Sequence, residues 1–149
     1  MRGHVTSLDL SPIGNCQVSA LVDRAGRFVW GCVPRVDGDP VFSSLLAGDD
    51  IERGSWSIHL EDCVDDEQSY LRNTPVLRTV KRDGAGNAIE VTDFCPRFRR
   101  HGRTYRPVAF VRIIRPIAGS PRIRLGLNPT RDWGAPAEPL PGGSNHLRF

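Results

Sequence analysis

The sequence predicts an all-β fold, an antiparallel β-sandwich with one short helix. Apolar residues alternate with polar ones in short runs along most of the chain, which is the period of strands that bury one face. Turns are frequent, with 15 glycines and 12 prolines among the 149 residues. Successive strands joined by short turns favour an antiparallel sandwich over a parallel α/β fold, and the length suits one domain over residues 1–149.

The first hairpin is predicted over residues 18–33. Val18, Ala20 and Val22 alternate with polar or small residues, and the turn "DRAG" ends in Gly26, which tolerates a positive φ angle. The second arm continues this pattern, and Pro34 ends it because proline lacks a backbone donor.

One helix is indicated after this hairpin. Asp39 is suited to cap its N-terminus, Pro40 to occupy its first turn and Gly48 to end it, while "VFSSLLA" supplies the apolar side. These signals predict a helix of about two turns.

The middle of the chain predicts a half-buried strand and a second hairpin. In "SWSIHL", Trp56, Ile58 and Leu60 share the buried face and His59 faces solvent. The runs "TPVLRTVKR" and "AIEVTDF" flank the turn "DGAGN" and form the second hairpin.

A third hairpin is predicted from "VAFVRIIRPI" and "RIRLGLNP", which are joined by "AGSP". The first run is nearly continuous in apolar residues, as in a central strand covered on both faces. In the second run Ile123, Leu125 and Leu127 face inward, and Arg122 and Arg124 face outward.

The last residues predict an unfinished sheet. The stretch "APAEPLPGGSNHLRF" is a loop rich in proline and glycine, followed by the first residues of another strand at 146–149. A strand that begins there leaves an open edge, which natural sandwiches avoid. We therefore expect a domain that is incomplete at its C-terminal end.

Net charge, cysteine spacing and the distribution of apolar residues limit the partners and the cellular location that the sequence predicts. The formal net charge is +3, so the composition requires no acidic partner. The cysteines are widely spaced, which favours free buried thiols, although a pairing of Cys16 with Cys32 across the first hairpin is left open. The sequence shows no apolar leader and no membrane-spanning run, which predicts a cytoplasmic protein without a membrane partner.

No metal or cofactor site is predicted. The segment "EDCVDDEQ" concentrates carboxylates but lacks the regular spacing of a calcium-binding loop, so we interpret it as a charged surface turn. The histidines are too scattered for a metal site: His4, His59, His101 and His146.

An arginine-rich segment, "CPRFRRHGRTYR", interleaves cations with Phe98 and Tyr105. That composition is typical of a nucleic-acid patch. A solvated loop, or a loop that pairs with a partner domain, is favoured instead because the net charge is modest.

Several motifs occur together in an order that is informative: "IGNCQVSALVDRAGRFVWGCVPRVDGDPVFSSLLAG", "GSWSIHL", "QSYLRNTPVLRTV", "VTDFCPRF" and "VRIIRPIAGSPRIRLGLNPTRDWG". They span about residues 13–134 and resemble the N-terminal domain of the trehalase-like and glucoamylase-like enzymes of glycoside hydrolase family fifteen. The resemblance implies a supersandwich-like β domain that precedes a catalytic toroid of paired helices. It also implies hydrolysis of α-glucosidic bonds with inversion, by two carboxylates that lie in the toroid, a region without counterpart among these residues.

The resemblance points to three of the four candidate site residues. Arg35 and Asp37 in "PRVD" and Asp132 in "TRDWG" match the family pattern, as does Asp93 in "VTDF". Asn15 stands where the pattern has aspartate. We expect Arg35, Asp37 and Asp132 to contact the substrate cleft or the neighbouring domain. The alternative is that Arg35 and Asp37 pair with each other and only stabilise their turn. No residue is assigned a catalytic role.

Trp133 is the fourth candidate. It lies in a loop beside charged residues and glycine, so it is the best candidate for an exposed aromatic ring that stacks on a sugar. Trp30 and Trp56 lie on apolar strand faces and are predicted to pack in the core.

The sequence therefore predicts a non-catalytic N-terminal domain of an inverting α-glucoside hydrolase. Its expected partners are the catalytic helical domain of the same parent chain and an α-glucoside substrate, with no cofactor and no nucleic acid, and a homo-oligomer is left open. Two alternatives remain: a stand-alone carbohydrate-binding module that uses Trp133, and a nucleic-acid-binding β domain that uses the arginines of residues 97–106. The choice between trehalose and starch-like chains is left open.

Overall fold

The computed structural model describes residues 7–48 and 50–149, which form two antiparallel sheets packed face to face. The larger sheet has six strands, in the order β1-β2-β3-β5-β12 with β4 paired to β3: β1 (Leu10–Gly14), β2 (Ser19–Asp23), β3 (Phe28–Cys32), β4 (Pro40–Phe42), β5 (Ser55–Leu60) and β12 (Ile123–Asn128). The smaller sheet has four strands, in the order β11-β8-β7-β6: β6 (Cys63–Tyr70), β7 (Leu77–Asp83), β8 (Ala88–Phe94) and β11 (Val111–Ala118). The all-β sandwich predicted from the sequence is confirmed.

Two short hairpins lie outside these sheets. One consists of β9 (Phe98–Arg100) and β10 (Arg103–Tyr105), and the other of β13 (Thr130–Arg131) and β14 (Ala135–Pro136). No helix among the described residues is long and apolar enough to cross a membrane.

The core consists of two clusters between the sheets. In the first, Val22 and Phe28 of the larger sheet pack with Leu77 of the smaller one, and all three are fully buried. In the second, Ile58 of β5 packs with Val91 of β8. Because each strand contributes alternate residues, the apolar alternation in the sequence becomes the contact between the sheets.

The first two predicted hairpins are confirmed. Gly26 has a φ of 74° at the turn between β2 and β3, the conformation for which glycine was expected. At the turn between β7 and β8, the Asp83 carboxylate accepts hydrogen bonds from the backbone N–H groups of Ala85 and Asn87.

The predicted two-turn helix is wrong. Pro40–Phe42 forms strand β4, which pairs with β3, and only Ser44–Leu46 forms a single turn of 3-10 helix. Pairing with β3 gives this segment the backbone partners that an isolated short helix would lack. The side chain of Asp39 binds elsewhere and caps no helix.

The predicted third hairpin is also wrong. β11 pairs with β8 in the smaller sheet, whereas β12 pairs with β5 in the larger sheet, so the turn at 119–121 carries the chain from one sheet to the other. β11 is a terminal strand rather than a central one, and Ile113 on it is 49% exposed. Apolar residues alone do not distinguish a covered strand from the edge of a sheet.

The apolar side chains of β12 lie on the core-facing side of their sheet, but they are not buried. They stand directly opposite Leu60, Ile58 and Trp56 of β5, and directly opposite residues share a face. Their residues are exposed by 41%, 60% and 37%: Ile123, Leu125 and Leu127. The predicted orientation is therefore confirmed, and the predicted burial is wrong because β12 is the last strand of its sheet.

Four smaller expectations are corrected. "EDCVDDEQ" contributes most of β6 rather than a surface turn, and the arginine-rich segment is a hairpin rather than a loop. "SWSIHL" is buried on both faces, since Ser55 and Ser57 are as buried as Ile58, and His59 is only partly exposed. Residues 146–149 form no strand, and only an isolated bridge joins Leu140 to Arg148.

The four cysteines are free. Cys16 and Cys63 are exposed, whereas Cys32 and Cys95 are buried, so the expectation of buried thiols holds for two of them. Burial raises the pKa of the Cys95 thiol to about 11.

Arg112 and Asp93 form a buried ion pair between the sheets. Arg112 Nε donates to Asp93 Oδ1 at 2.8 Å and Nη2 donates to Oδ2 at 3.0 Å, and both side chains are at most 2% exposed. The same guanidinium donates to the carbonyl oxygens of Trp56 and Gly26 and lies 4.4 Å from the ring centroid of Phe28. Asp93, one of the residues that match the family pattern, is therefore part of the core rather than of a surface site.

Candidate functional site

The loop between β3 and β4 carries Arg35 and Asp37 at the surface. Arg35 Nε and Nη2 donate to the two carboxylate oxygens of Asp37, each at 2.9 Å. Both side chains are mostly exposed, at 70% and 63%. The backbone N–H of Gly38 donates to the carbonyl of Arg35 at 3.1 Å and closes the turn that holds the pair.

The turn between β13 and β14 carries Asp132 and Trp133 in an uncommon backbone conformation. Their φ angles are 49° and 59°, and the N–H of Gly134 donates to the carbonyl of Arg131 at 3.1 Å. Two central residues with positive φ are typical of a type I′ turn, in which asparagine and glycine are the usual occupants. Aspartate tolerates the first of these positions, but a tryptophan is strained at the second, and such strain is found where the surroundings hold it in place.

Asp39 joins the two loops and holds that conformation. Its Oδ2 accepts the backbone N–H of Asp132 at 2.6 Å, and its Oδ1 accepts the backbone N–H of Trp133 at 2.8 Å. Hydrogen bonds to a carboxylate are stronger than those between neutral groups. All four predicted site residues are therefore carried by two loops that this single carboxylate ties together.

Buried polar contacts fix the base of the second loop. Thr130 Oγ1 lies 2.7 Å from Ser43 Oγ and donates to the carbonyl of Pro40 at 3.1 Å. Arg53 Nε donates to the carbonyl of Gly134 at 3.0 Å. The Trp133 ring then projects from an anchored turn and is 64% exposed, as expected from the sequence.

The electrostatics of the site favour the ionised forms of Arg35 and Asp37 and the neutral form of the Cys32 thiol. The hydrogen bond from Arg35 holds the pKa of the Asp37 carboxyl below its usual range, and the pKa of Arg35 is raised in return. Burial raises the pKa of the Cys32 thiol behind the loop, and the carboxylates of Asp39 and Asp37 raise it further. The site thus combines an ion pair, a carboxylate whose two oxygens each accept a backbone N–H, and an exposed aromatic ring.

The comparison with known families assigns the chain. Residues 5–148 match the family described as "Trehalase-like, N-terminal". The chain belongs to this trehalase-like N-terminal family.

Two curated relatives of this trehalase-like N-terminal domain are trehalases from archaea. One, "Trehalase" from Thermoplasma volcanium, is 35% identical over 86 residues, which are 56% of this chain and 14% of that protein. The other, "Trehalase 1" from Sulfolobus acidocaldarius, is 40% identical over 103 residues, which are 66% of this chain and 17% of that protein. Each match spans less than a fifth of the relative's length. No solved structure matches the domain.

Sequence reasoning missed Asp39 in this trehalase-like domain. The signal was present, since Asp39 lies two residues after Asp37 in "PRVDGDP", but a carboxylate before proline was interpreted as a helix cap. Its true partners lie more than ninety residues further along the chain. Trp56 packs against the core as expected, and Trp30 is half-buried.

Asn15 of the domain has a structural role. It is 2% exposed, and its Oδ1 accepts the backbone N–H groups of Gln17 and Val18. Its Nδ2 donates to the carbonyls of Pro96 and Pro107 at 2.8 and 2.9 Å. Asn15 therefore ties the first strands to the β9–β10 segment and is too buried to contact a ligand.

No candidate metal site is found within residues 7–48 and 50–149. No group of three or more histidine, cysteine, aspartate or glutamate side chains there is placed to hold an ion. His4 lies outside the described residues.

Proposed function

We propose that this chain is the non-catalytic N-terminal domain of a cytoplasmic, inverting α-glucoside hydrolase of glycoside hydrolase family fifteen. In this proposal it packs on a catalytic helical domain of the same parent polypeptide and supplies part of the rim of the sugar cleft. Membership of the trehalase-like N-terminal family and the two trehalase relatives support an α-glucoside hydrolase as the parent.

One observation carries the packing role: the core-facing side of β12 is uncovered. Ile123, Leu125 and Leu127 stand directly opposite the core-facing residues of β5, yet they are exposed by 41%, 60% and 37%. Covering apolar surface is worth roughly 25 cal/mol per Å². A contiguous row of core-type side chains at the end of a sheet is therefore a surface that further polypeptide would cover with a gain in stability.

The rim role is supported by the two loops that Asp39 joins. The exposed Trp133 ring offers a flat apolar face, which suits the apolar side of a pyranose. The exposed Arg35 and Asp37 pair offers donors and acceptors to sugar hydroxyls. An anchored, exposed ring on a loop that is tied to the loop of an exposed ion pair suits contact with a sugar better than it suits packing alone.

The environments of Asp37 and Asp39 disfavour a catalytic role for either carboxylate. Inversion needs one carboxylic acid whose pKa is raised and one carboxylate that acts as base. Arg35 instead lowers the pKa of Asp37. Both oxygens of Asp39 are occupied by backbone N–H groups.

Glucose release tests the non-catalytic role. The purified 149-residue chain, incubated with trehalose and with maltooligosaccharides, is expected to release no glucose. Robust turnover that survives a second purification step would overturn the proposal. The coding sequence after the codon for Phe149 tests whether the parent polypeptide carries a catalytic helical domain. The proposal expects that region to predict paired helices.

A matched pair of variants tests the packing surface. Leu125→Arg is expected to change the melting temperature of the 149-residue chain little, and to lower that of the polypeptide encoded by the complete gene by several degrees. Val64→Arg is the control, because Val64 is 70% exposed on β6, the terminal strand of the other sheet. Equal effects of the two variants in the complete polypeptide would contradict packing on β12.

A stand-alone carbohydrate-binding module is the second candidate, and the exposure of Trp133 favours it. It requires saturable quenching of tryptophan fluorescence by trehalose or maltooligosaccharides that Trp133→Ala abolishes. The first proposal expects no such binding by the chain alone, because one rim of a cleft leaves most of the sugar in water.

A further inference from the structure

The hairpin β9–β10 collects cations that pair with no carboxylate of residues 7–48 and 50–149. Five arginines lie on it or beside it: Arg97, Arg99, Arg100, Arg103 and Arg106. Within the described residues none of these guanidinium groups lies within 4.0 Å of a carboxylate oxygen. The arginines of the smaller sheet differ, since Arg78, Arg82 and Arg115 each have an acidic partner.

The register of the hairpin places like charges together. Arg103 stands directly opposite Arg100, and the turn between them, His101 and Gly102, has φ angles of 50° and 74°. Like charges at directly opposite positions destabilise a strand pair. This arrangement costs the free domain stability, and a bound anion would relieve it.

The same face of the hairpin carries a stacked aromatic pair. Phe98 stands opposite Tyr105, and their rings stack with centroids 5.4 Å apart and an interplanar angle of 13°. Because residues two apart on a strand share a face, both rings lie on the side of Arg100 and Arg103. Phe98 and Tyr105 remain 47% and 40% exposed.

An apolar groove of about 920 Å³ adjoins this face. It lies between β1, the turn before β7 and the residues that enter β9. Its walls are mainly aliphatic and aromatic, with contributions from Pro12, Ile13, Pro75, Val76, Phe94 and Phe98. Arg97 lies at its wall, where Nη1 donates to the thiol of Cys16 at 3.2 Å.

We propose that the hairpin and this groove bind an acidic protein segment that carries one large apolar side chain. The segment's carboxylates pair with Arg100 and Arg103, and its apolar side chain enters the groove beside Phe98. Arginine suits this task because its planar fork binds a carboxylate through two parallel hydrogen bonds. This surface is separate from the one on β12 and does not depend on the proposed function.

A protein segment fits these observations better than a nucleic acid. The two rings stack on each other, whereas single-stranded nucleic acid is bound by rings that are free to stack on bases. The groove is lined by aliphatic residues that suit an apolar side chain rather than a phosphate backbone. The net charge of +3 is small for a protein that binds a polyanion.

Selection from a library tests the proposal. Random twelve-residue peptides displayed on phage are selected against the purified 149-residue chain. Enriched peptides are expected to be acidic and to share one large apolar residue, and replacing that residue by alanine is expected to weaken binding at least tenfold. The same loss is expected with Arg100→Gln/Arg103→Gln, which removes the opposed charges, and with Val76→Lys, which places a charge in the groove.

The control is Arg122→Glu/Arg124→Glu, compared with Arg100→Glu/Arg103→Glu. Both pairs of substitutions change the net charge equally. Arg122 and Arg124 lie just before and on β12, the last strand of the larger sheet, away from the β9–β10 hairpin in the strand order. Circular dichroism checks that each variant keeps its fold. The proposal would be overturned by an equal loss of affinity in the two charge-reversed variants. It would also be overturned if the enriched peptides lacked acidic residues, or if no peptide were enriched. Tighter, salt-sensitive binding of a twenty-nucleotide DNA or RNA would also overturn it.

Discussion

The carboxylate of Asp39 accepts the backbone N–H of Trp133 at 2.8 Å, although the two residues lie 94 positions apart in the sequence. With the second bond, to the N–H of Asp132, this carboxylate stabilises two successive residues in the left-handed region. The position of the exposed tryptophan is thus set by a loop from the other end of the chain. The geometry of the site is a tertiary property, and neither loop alone specifies it.

Asp39→Ala is expected to release the turn that carries Trp133. The variant loses two hydrogen bonds to a carboxylate and leaves two non-glycine residues with unsupported positive φ angles, so the free energy of unfolding should fall by about 1–3 kcal/mol. Urea denaturation measures this loss, and amide hydrogen exchange at residues 132 and 133 should accelerate. Asp37→Ala is the control, because Asp37 is bonded only within its own exposed loop and its removal should leave exchange at 132 and 133 unchanged.

The sequence predicted strand faces better than strand neighbours. Alternation identified the core-facing residues of β2, β5 and β12 because it follows directly from the pleat of a strand. It did not show that β11 and β12 belong to different sheets, because "AGSP" is as compatible with a crossing between sheets as with a hairpin. The partner of a strand depends on long-range packing that a local pattern does not contain.

The candidate site shows the same difference between what a local sequence pattern predicts and what long-range contacts determine. Arg35, Asp37 and Asp132 were identified by motif resemblance, whereas Trp133 and its exposure were predicted from its charged and glycine neighbours. The residue that joins the loops, Asp39, was assigned to a helix because its real partners are backbone N–H groups. Backbone donors leave no mark in the sequence, so such a contact is visible only in the structure.

Breaking the buried pair of Arg112 and Asp93 is expected to destabilise the fold strongly. Arg112→Met leaves the Asp93 carboxylate buried without its cation, and removal of one partner of a buried pair costs about 3–5 kcal/mol. Asp93→Asn should cost a comparable amount because it leaves the cation unpaired. Thermal and urea denaturation measure both losses.

The combined Arg112→Met/Asp93→Asn variant completes a double-mutant cycle. It should be less destabilised than the sum of the single variants, because neither member then leaves the other as an unpaired charge. Arg24→Met is the control, since Arg24 and Asp9 form an exposed pair for which a loss below about 1 kcal/mol is expected. Strict additivity in the cycle would show that the side chains of Arg112 and Asp93 are not coupled.

Glu90 should make stability depend on pH in the acid range. Hydrogen bonds from Arg78, and then from Arg115, lower the pKa of its carboxyl in the folded protein. Because the folded pKa lies below the unfolded value of about 4.3, the stabilisation is complete above that value and is lost as pH falls through the folded pKa. Melting temperatures of the wild type and Glu90→Gln should differ by a constant amount near neutral pH and converge below about pH 4. A difference that does not change between pH 3 and pH 7 would contradict this role.

Asn15→Asp is expected to destabilise the domain although it restores the residue of the family pattern. The Oδ1 of Asn15 faces two N–H groups and its Nδ2 faces two carbonyl oxygens, so all four contacts require an amide in this orientation. An aspartate would direct its second oxygen at the carbonyls of Pro96 and Pro107, and a buried charge without a partner costs about 3 kcal/mol or more.

Protonation gives that oxygen a proton to donate, so the folded pKa of this aspartate would be raised above the unfolded value. The stability deficit should therefore be smallest in acid and grow as pH rises through the unfolded pKa of about 3.9 toward the folded one. Asn73→Asp, at an exposed position, should change the free energy of unfolding by less than about 0.5 kcal/mol, and equal effects at the two positions would refute the amide-specific role of Asn15.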